Sequence, residues 1–112
     1  MTMPRRGLIL AGLALALAPP AGGAWAQAKP KDHVITMANM SYGRLPADIK
    51  VGDTITWVNN DSVPHTATAR DKSFDVRIAA GRKVKMTAQK AGSFAFYCIY
   101  HSMMRGSLTV AG

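Results

Sequence analysis

The sequence holds one cysteine, no glutamate and, beyond its first residues, no long apolar run. Each absence excludes something. With Cys98 alone, no disulfide can form within the chain, so a small domain must hold together on its core. The 6 acidic residues, all Asp, face 14 Lys and Arg, so the chain cannot be an acidic, solvating tail. The basic residues are scattered, the densest group being Arg82, Lys83 and Lys85, which is not the continuous stripe that nucleic acid selects. No eleven-residue window after residue 26 carries a 3.6-residue apolar period, which argues against a helical bundle. Internal repeats and low-complexity segments are absent as well.

What is present begins with a leader. Arg5 and Arg6 form a positive n-region, residues 7–18 are uninterruptedly apolar, Pro19-Pro20 close the run, and Ala24-Trp25-Ala26 fits a small-x-small cleavage site. Residues 1–26 are therefore predicted to be a secretory signal peptide cut between Ala26 and Gln27. The run is too short to span a bilayer, so no membrane insertion is expected after cleavage. The paired arginines leave the twin-arginine and general secretory routes equally open. Either route implies a periplasmic protein. Without Arg5 and Arg6 the basic residues number 12, against 6 acidic ones, a formal +6 for residues 27–112. Such charge steers encounters toward acidic partners, and export makes nucleic acid an improbable target.

Residues 27–112 read as one domain of short strands. Apolar alternation recurs at 33–37, 47–51, 54–59, 65–69, 84–88, 94–98 and 107–110, with 74–78 either a brief strand or irregular. Gly52-Asp53, residues 59–62, Ala80-Gly81-Arg82 and Ala91-Gly92 supply the turns. Strands of this length at this spacing predict an all-β sandwich. Ile55 and Trp57 point to the core, as do Met37, Met40 and Met86, which fit gap filling. His33 has no nearby Cys or second His and reads as a surface residue.

The chemistry concentrates near the C-terminus. Cys98, His101 and Met104 follow one another as Cys-x-x-His-x-x-Met. A lone core cysteine is most often an inert thiol, but beside an imidazole and a thioether it joins a soft donor set. Thiolate and thioether select copper(I), imidazole suits copper in either oxidation state, and a trigonal His₂Cys site with a weak axial Met is a blue-copper pattern. An exported chain normally pairs its cysteines, so an unpaired one is a free thiol or a metal ligand. The second imidazole would be His65, which follows Pro64 at the start of a strand. Met103 and Met104 both stand near the axial position, and the spacing favours Met104.

These residues resemble the cupredoxin family, in its amicyanin and plastocyanin-like branch. The resemblance rests on Cys98, His101, Met104, Arg105 and Gly106, on Pro64-His65, and on Gly52 to Asn59 as Gly-Asp-x-apolar-x-Trp-x-Asn. It covers nearly all of residues 34–110. It implies a Greek-key β-sandwich with one copper per chain at one end, held by His65, Cys98, His101 and Met104. It also implies a one-electron carrier rather than an enzyme, cycling Cu(I) and Cu(II), with the edge of His101 as the electron port. Pro64, Ile99, Tyr100 and Met103 would form an apolar patch around that port. Partners would be redox proteins, acidic ones such as a c-type cytochrome or a periplasmic dehydrogenase, and the chain would be a monomer. The alternative is a periplasmic copper carrier or chaperone that uses the same donors for delivery. Two departures from the family pattern stand out. Tyr100 occupies a position where many members have Pro, and Thr66 one where some have an Asn that ties the two ligand loops together.

Overall fold

The computed structural model of the protein describes residues 29–112; the expected leader, residues 1–26, lies outside the described residues. Nine strands and no helix make up this part: β1 (Asp32–Ala38), β2 (Ser41–Tyr42), β3 (Ile49–Lys50), β4 (Thr54–Asn59), β5 (His65–Ala69), β6 (Asp75–Ile78), β7 (Lys83–Thr87), β8 (Gly92–Tyr97) and β9 (Arg105–Ala111). They form two mixed sheets, ordered β2-β1-β4-β7 and β3-β9-β8-β5-β6. β1 runs parallel to β4 and β3 parallel to β9, while the other pairs are antiparallel. The chain changes sheet repeatedly, between β2 and β5 at every step and again on either side of β7. This is the crossing connectivity expected of a Greek-key sandwich.

The alternation in sequence becomes the two faces of each sheet. From β1, His33, Ile35 and Met37 turn inward, and from β8, Phe94 and Phe96 do the same. Trp57 and Phe96 are fully buried at the centre. Their ring centroids are 5.4 Å apart in a T-shaped pair, and Tyr42 meets Phe96 at 4.8 Å in the same manner. Each such pair contributes about 0.5–1.5 kcal/mol beyond its area. The indole Nε1 of Trp57 is buried with no hydrogen-bond partner among the described residues.

The register defines two poles. The end of β4, the start of β5, the end of β8 and the start of β9 lie together at what is here called the ligand pole. The starts of β1 and β4, the start of β8 and the end of β9 lie at the far pole.

Several sequence expectations need correction. His33 is not a surface residue: it is buried, because position 33 shares the inward face of β1 with Ile35 and Met37. Met40 is not core; it is 43% exposed at the tip of the β1–β2 hairpin, where Asn39 and Met40 both have left-handed backbones. The segment 47–51 forms only the two-residue β3, and Val51 is exposed instead of sharing a buried face with Ile49. The chain turns at Val51-Gly52, and Gly52 takes a positive φ of 97°, so the alternation stops there. Met86 is only partly buried, against the core edge. The open choice for 74–78 resolves as strand β6.

Candidate metal centre

Four loops meet at the ligand pole, and buried polar groups hold them in place. Asn59, fully buried at the end of β4, donates from Nδ2 to the carbonyls of Val63 (2.8 Å), Ile78 (3.1 Å) and Ala79 (3.3 Å). Its Oδ1 accepts from the Asp61 N–H at 2.9 Å. One amide thus folds the 59–65 loop back against the end of β6 and delivers His65, fully buried, to the start of β5.

Cys98 follows the last residue of β8 and continues its inward alternation, so its thiol is fully buried. The loop beyond it closes on itself. The N–H of His101 donates to the Cys98 carbonyl at 3.3 Å, that of Met104 to His101 at 2.8 Å, and that of Cys98 to Met104 at 3.0 Å. β9 then begins at Arg105 and Gly106. A Cβ on Gly106 would lie 2.8 Å from the Phe96 ring and 2.9 Å from Leu45, so only glycine lets the strand leave the loop this close to the core.

The donor atoms of His65, Cys98 and His101 lie within 4.8 Å of one another. Cys98 Sγ stands 3.8 Å from Nδ1 of His65 and 3.7 Å from Nδ1 of His101. The two imidazoles meet at 72° with centroids 5.2 Å apart. A sulfur and a nitrogen sharing one first-row ion, at about 2.3 and 2.0–2.1 Å and roughly 120° apart, stand roughly 3.8 Å from each other. The observed spacings therefore fit a single ion in a trigonal setting.

The tautomer of His65 fits as well. Its Nε2 lies 2.7 Å from Oδ2 of Asp61. The Asp61 carboxyl is held below the usual carboxylate range, first by this bond and then by the Met40 N–H, so it is ionised and can only accept. Nε2 must then carry the proton, which leaves the Nδ1 lone pair facing Cys98. Met104 is buried beside the loop it closes, whereas Met103 is 85% exposed. His101 is partly exposed, the only one of the three converging donors that reaches solvent.

Comparison with known proteins agrees with this geometry. The family model of the cupredoxin-like domain matches residues 7–110. The chain belongs to the cupredoxin family. Among its relatives, the amicyanin of Paracoccus denitrificans is 30% identical over 83 residues, which cover 69% of this chain and 63% of that protein. The amicyanin of Paracoccus versutus is 30% identical over 111 residues, covering 80% of this chain and 84% of that one. The chain thus spans a little under two thirds of the first relative's length. Among solved structures, a methionine-to-alanine variant of amicyanin in its Cu(I) state superposes with a TM-score of 0.63 at 27% identity, covering 70% of this chain and 81% of that one.

Within this cupredoxin, one departure from the family pattern loses its significance. Thr66 Oγ1 accepts from the Ile99 N–H at 3.0 Å, so threonine ties the His65 strand to the Cys98 loop in the way expected of Asn. Thr66 is fully buried, and Tyr42 donates its hydroxyl to the Thr66 carbonyl. Burial raises the Tyr42 pKa, with the Cys98 thiol adding to the effect. Sequence reasoning did not single out Asn59 or Asp61. The Asn of the Trp-x-Asn motif was the available signal for the first, and an Asp four residues before a candidate ligand His for the second.

Proposed function

We propose that this cupredoxin is a periplasmic one-electron carrier that holds one copper ion between His65, Cys98 and His101, with Met104 as the weak axial ligand. A copper ion bound there supplies the Cu(I)/Cu(II) couple. The observation that carries this reading is the convergence of one thiol and two imidazole nitrogens at spacings suited to a single trigonal ion.

The protein's own residues perform the rest. Asn59, Thr66 and the closed 98–104 loop tie the donor-bearing segments to one another through protein hydrogen bonds, so little has to move when the charge at the centre changes. Preorganisation of this kind lowers the cost of each transfer. Burial of Cys98 and His65 keeps water from the thiolate, and His101 is the donor that faces outward. Around it stand exposed Val63, Ile99, Tyr100 and Met103, with exposed Pro64 beside them. Arg77, Arg82, Lys83 and Arg105 are exposed at the same pole. A small apolar patch with a basic surround suits brief docking to an acidic redox protein, such as a c-type cytochrome or a dehydrogenase of the same compartment. The chain would act as a monomer, and as a carrier rather than an enzyme.

The copper-delivery reading uses the same donors. Repeated oxidation and reduction in the presence of a copper(I) chelator separates the two, because a carrier of electrons keeps its ion and a carrier of copper gives it up. The oxidised protein should be intensely blue from thiolate-to-copper charge transfer, and Cys98→Ala should be colourless. A blue Cys98→Ala protein would remove the thiolate from the site and end this reading.

A further inference from the structure

The hairpin between β1 and β2 has an unusual tip. Asn39 and Met40 both sit in the left-handed region, with φ of 53° and 59°. Asn tolerates that region; methionine has no local reason to adopt it. The two-residue loop between Ala38 and Ser41 requires the conformation at both positions. One result is that two successive N–H groups point the same way and form an anion-binding concavity. A side chain of this chain fills it. Asp61 Oδ1 accepts from the Asn39 N–H at 2.8 Å and Oδ2 from the Met40 N–H at 2.9 Å. The same Oδ2 accepts from Nε2 of His65 at 2.7 Å.

We infer that Asp61, cradled by the Asn39–Met40 tip, is the positioning residue that fixes the tautomer of His65 and sets its donor strength toward the metal. This rests on the proposed copper centre and adds a determinant of its potential. The argument has two parts. First, a carboxylate pinned by two backbone N–H groups cannot rotate away, so His65 is oriented before any metal arrives. Second, a negative charge bonded to the far side of an imidazole makes the near nitrogen more basic. That favours the more highly charged Cu(II) over Cu(I) and lowers the reduction potential. The tip thereby links an exposed residue, Met40, to a buried donor through two hydrogen bonds.

The test is Asp61→Asn in the full mature protein, titrated with copper(II) and measured for reduction potential. ¹⁵N NMR of the histidines in the metal-free form accompanies it. Asn keeps the size and one acceptor but loses the charge. Copper(II) binding should weaken roughly 10–100-fold, with the potential rising and the blue colour retained. In the metal-free wild type, His65 should be protonated at Nε2 with that proton protected from exchange, and exchange should be faster in the variant, whose neutral acceptor holds it more weakly. An unchanged potential and affinity in Asp61→Asn would overturn the assignment. So would a wild-type His65 protonated at Nδ1, a reading available even if the variant fails to fold. If the wild type takes up no copper at all, the proposed function falls, while the tautomer measurement still decides the role of Asp61.

Discussion

Each pole of this sandwich contains a buried histidine bonded to an aspartate, and the two do opposite things. At the ligand pole, His65 gives Nε2 to Asp61 at 2.7 Å and presents Nδ1 to Cys98 and His101. At the far pole, His33 gives Nε2 to Asp53 at 2.9 Å, and its Nδ1 faces Asp48 at 3.7 Å. Both nitrogens of His33 thus face carboxylates, and no thiol or second imidazole is near. What distinguishes a ligand-capable histidine from a structural clasp is therefore a spare nitrogen aimed at another donor, not burial or an acidic neighbour. The poles also differ in how they are stapled. Asn59, neutral, gathers three carbonyls. Asp53, charged, gathers the N–H groups of Lys31 and Lys50 together with His33.

The strongest break in this comparison is a paired deletion. His65→Ala should abolish the blue charge-transfer band, whereas His33→Ala should keep it and lower only the melting temperature. Absorbance after copper loading decides, and a colourless His33→Ala protein that is still folded would erase the distinction between the two histidines.

Next in size is the staple of the ligand pole. Asn59→Ala removes the amide shared by the Val63, Ile78 and Ala79 carbonyls, of which that of Ala79 keeps the Arg82 N–H, and should cost about 1–3 kcal/mol in urea unfolding. Because an amide does not titrate, that loss should be the same in neutral and in acidic solution.

The far pole should behave otherwise. The Asp53 carboxyl is pushed down to about 2 from 3.8, first by the His33 hydrogen bond and then by the N–H groups of Lys31 and Lys50. A folded value below the unfolded one means that the stabilisation is complete above about pH 4 and is lost as pH falls toward about 2. Asp53→Asn should therefore show a shallower fall in stability across that window. Equal slopes for variant and wild type would assign acid sensitivity to other carboxylates.

The smallest expected effect concerns the two neighbouring methionines. Met104→Leu should raise the reduction potential and alter the copper spectrum, since an axial thioether tunes both. Met103→Leu should leave the spectrum as it is. The reverse pattern would transfer the axial role to the exposed residue.

The ligand pole was far more legible in the sequence than the far pole, for a physical reason. Three of the four proposed ligands fall within one short loop, where chain connectivity alone keeps them close, and the fourth follows a proline at a strand start. The clasp around His33 joins residues from β1, the loop before β3 and the turn before β4, and such pairing depends on register that local patterns do not encode. Even so, the alternation His33, Ile35, Met37 already put this histidine on the inward face. Met40 was misplaced because hydrophobicity says nothing about a left-handed hairpin tip. Thr66 stands where an Asn would tie the two loops, and the residue type alone does not reveal that its hydroxyl accepts from the Ile99 N–H.

The unpartnered indole N–H of Trp57 has an optical consequence. Trp57 is the sole tryptophan among the described residues, and its buried ring packs against Tyr42, Phe74 and Phe96 with no protein acceptor at its nitrogen among those residues. An excited indole shifts its emission to longer wavelength by reorienting polar neighbours and solvent, and full burial keeps bulk solvent from this ring. The folded protein should therefore fluoresce at shorter wavelength than the unfolded chain, giving a built-in reporter that reddens when the centre of the sandwich opens.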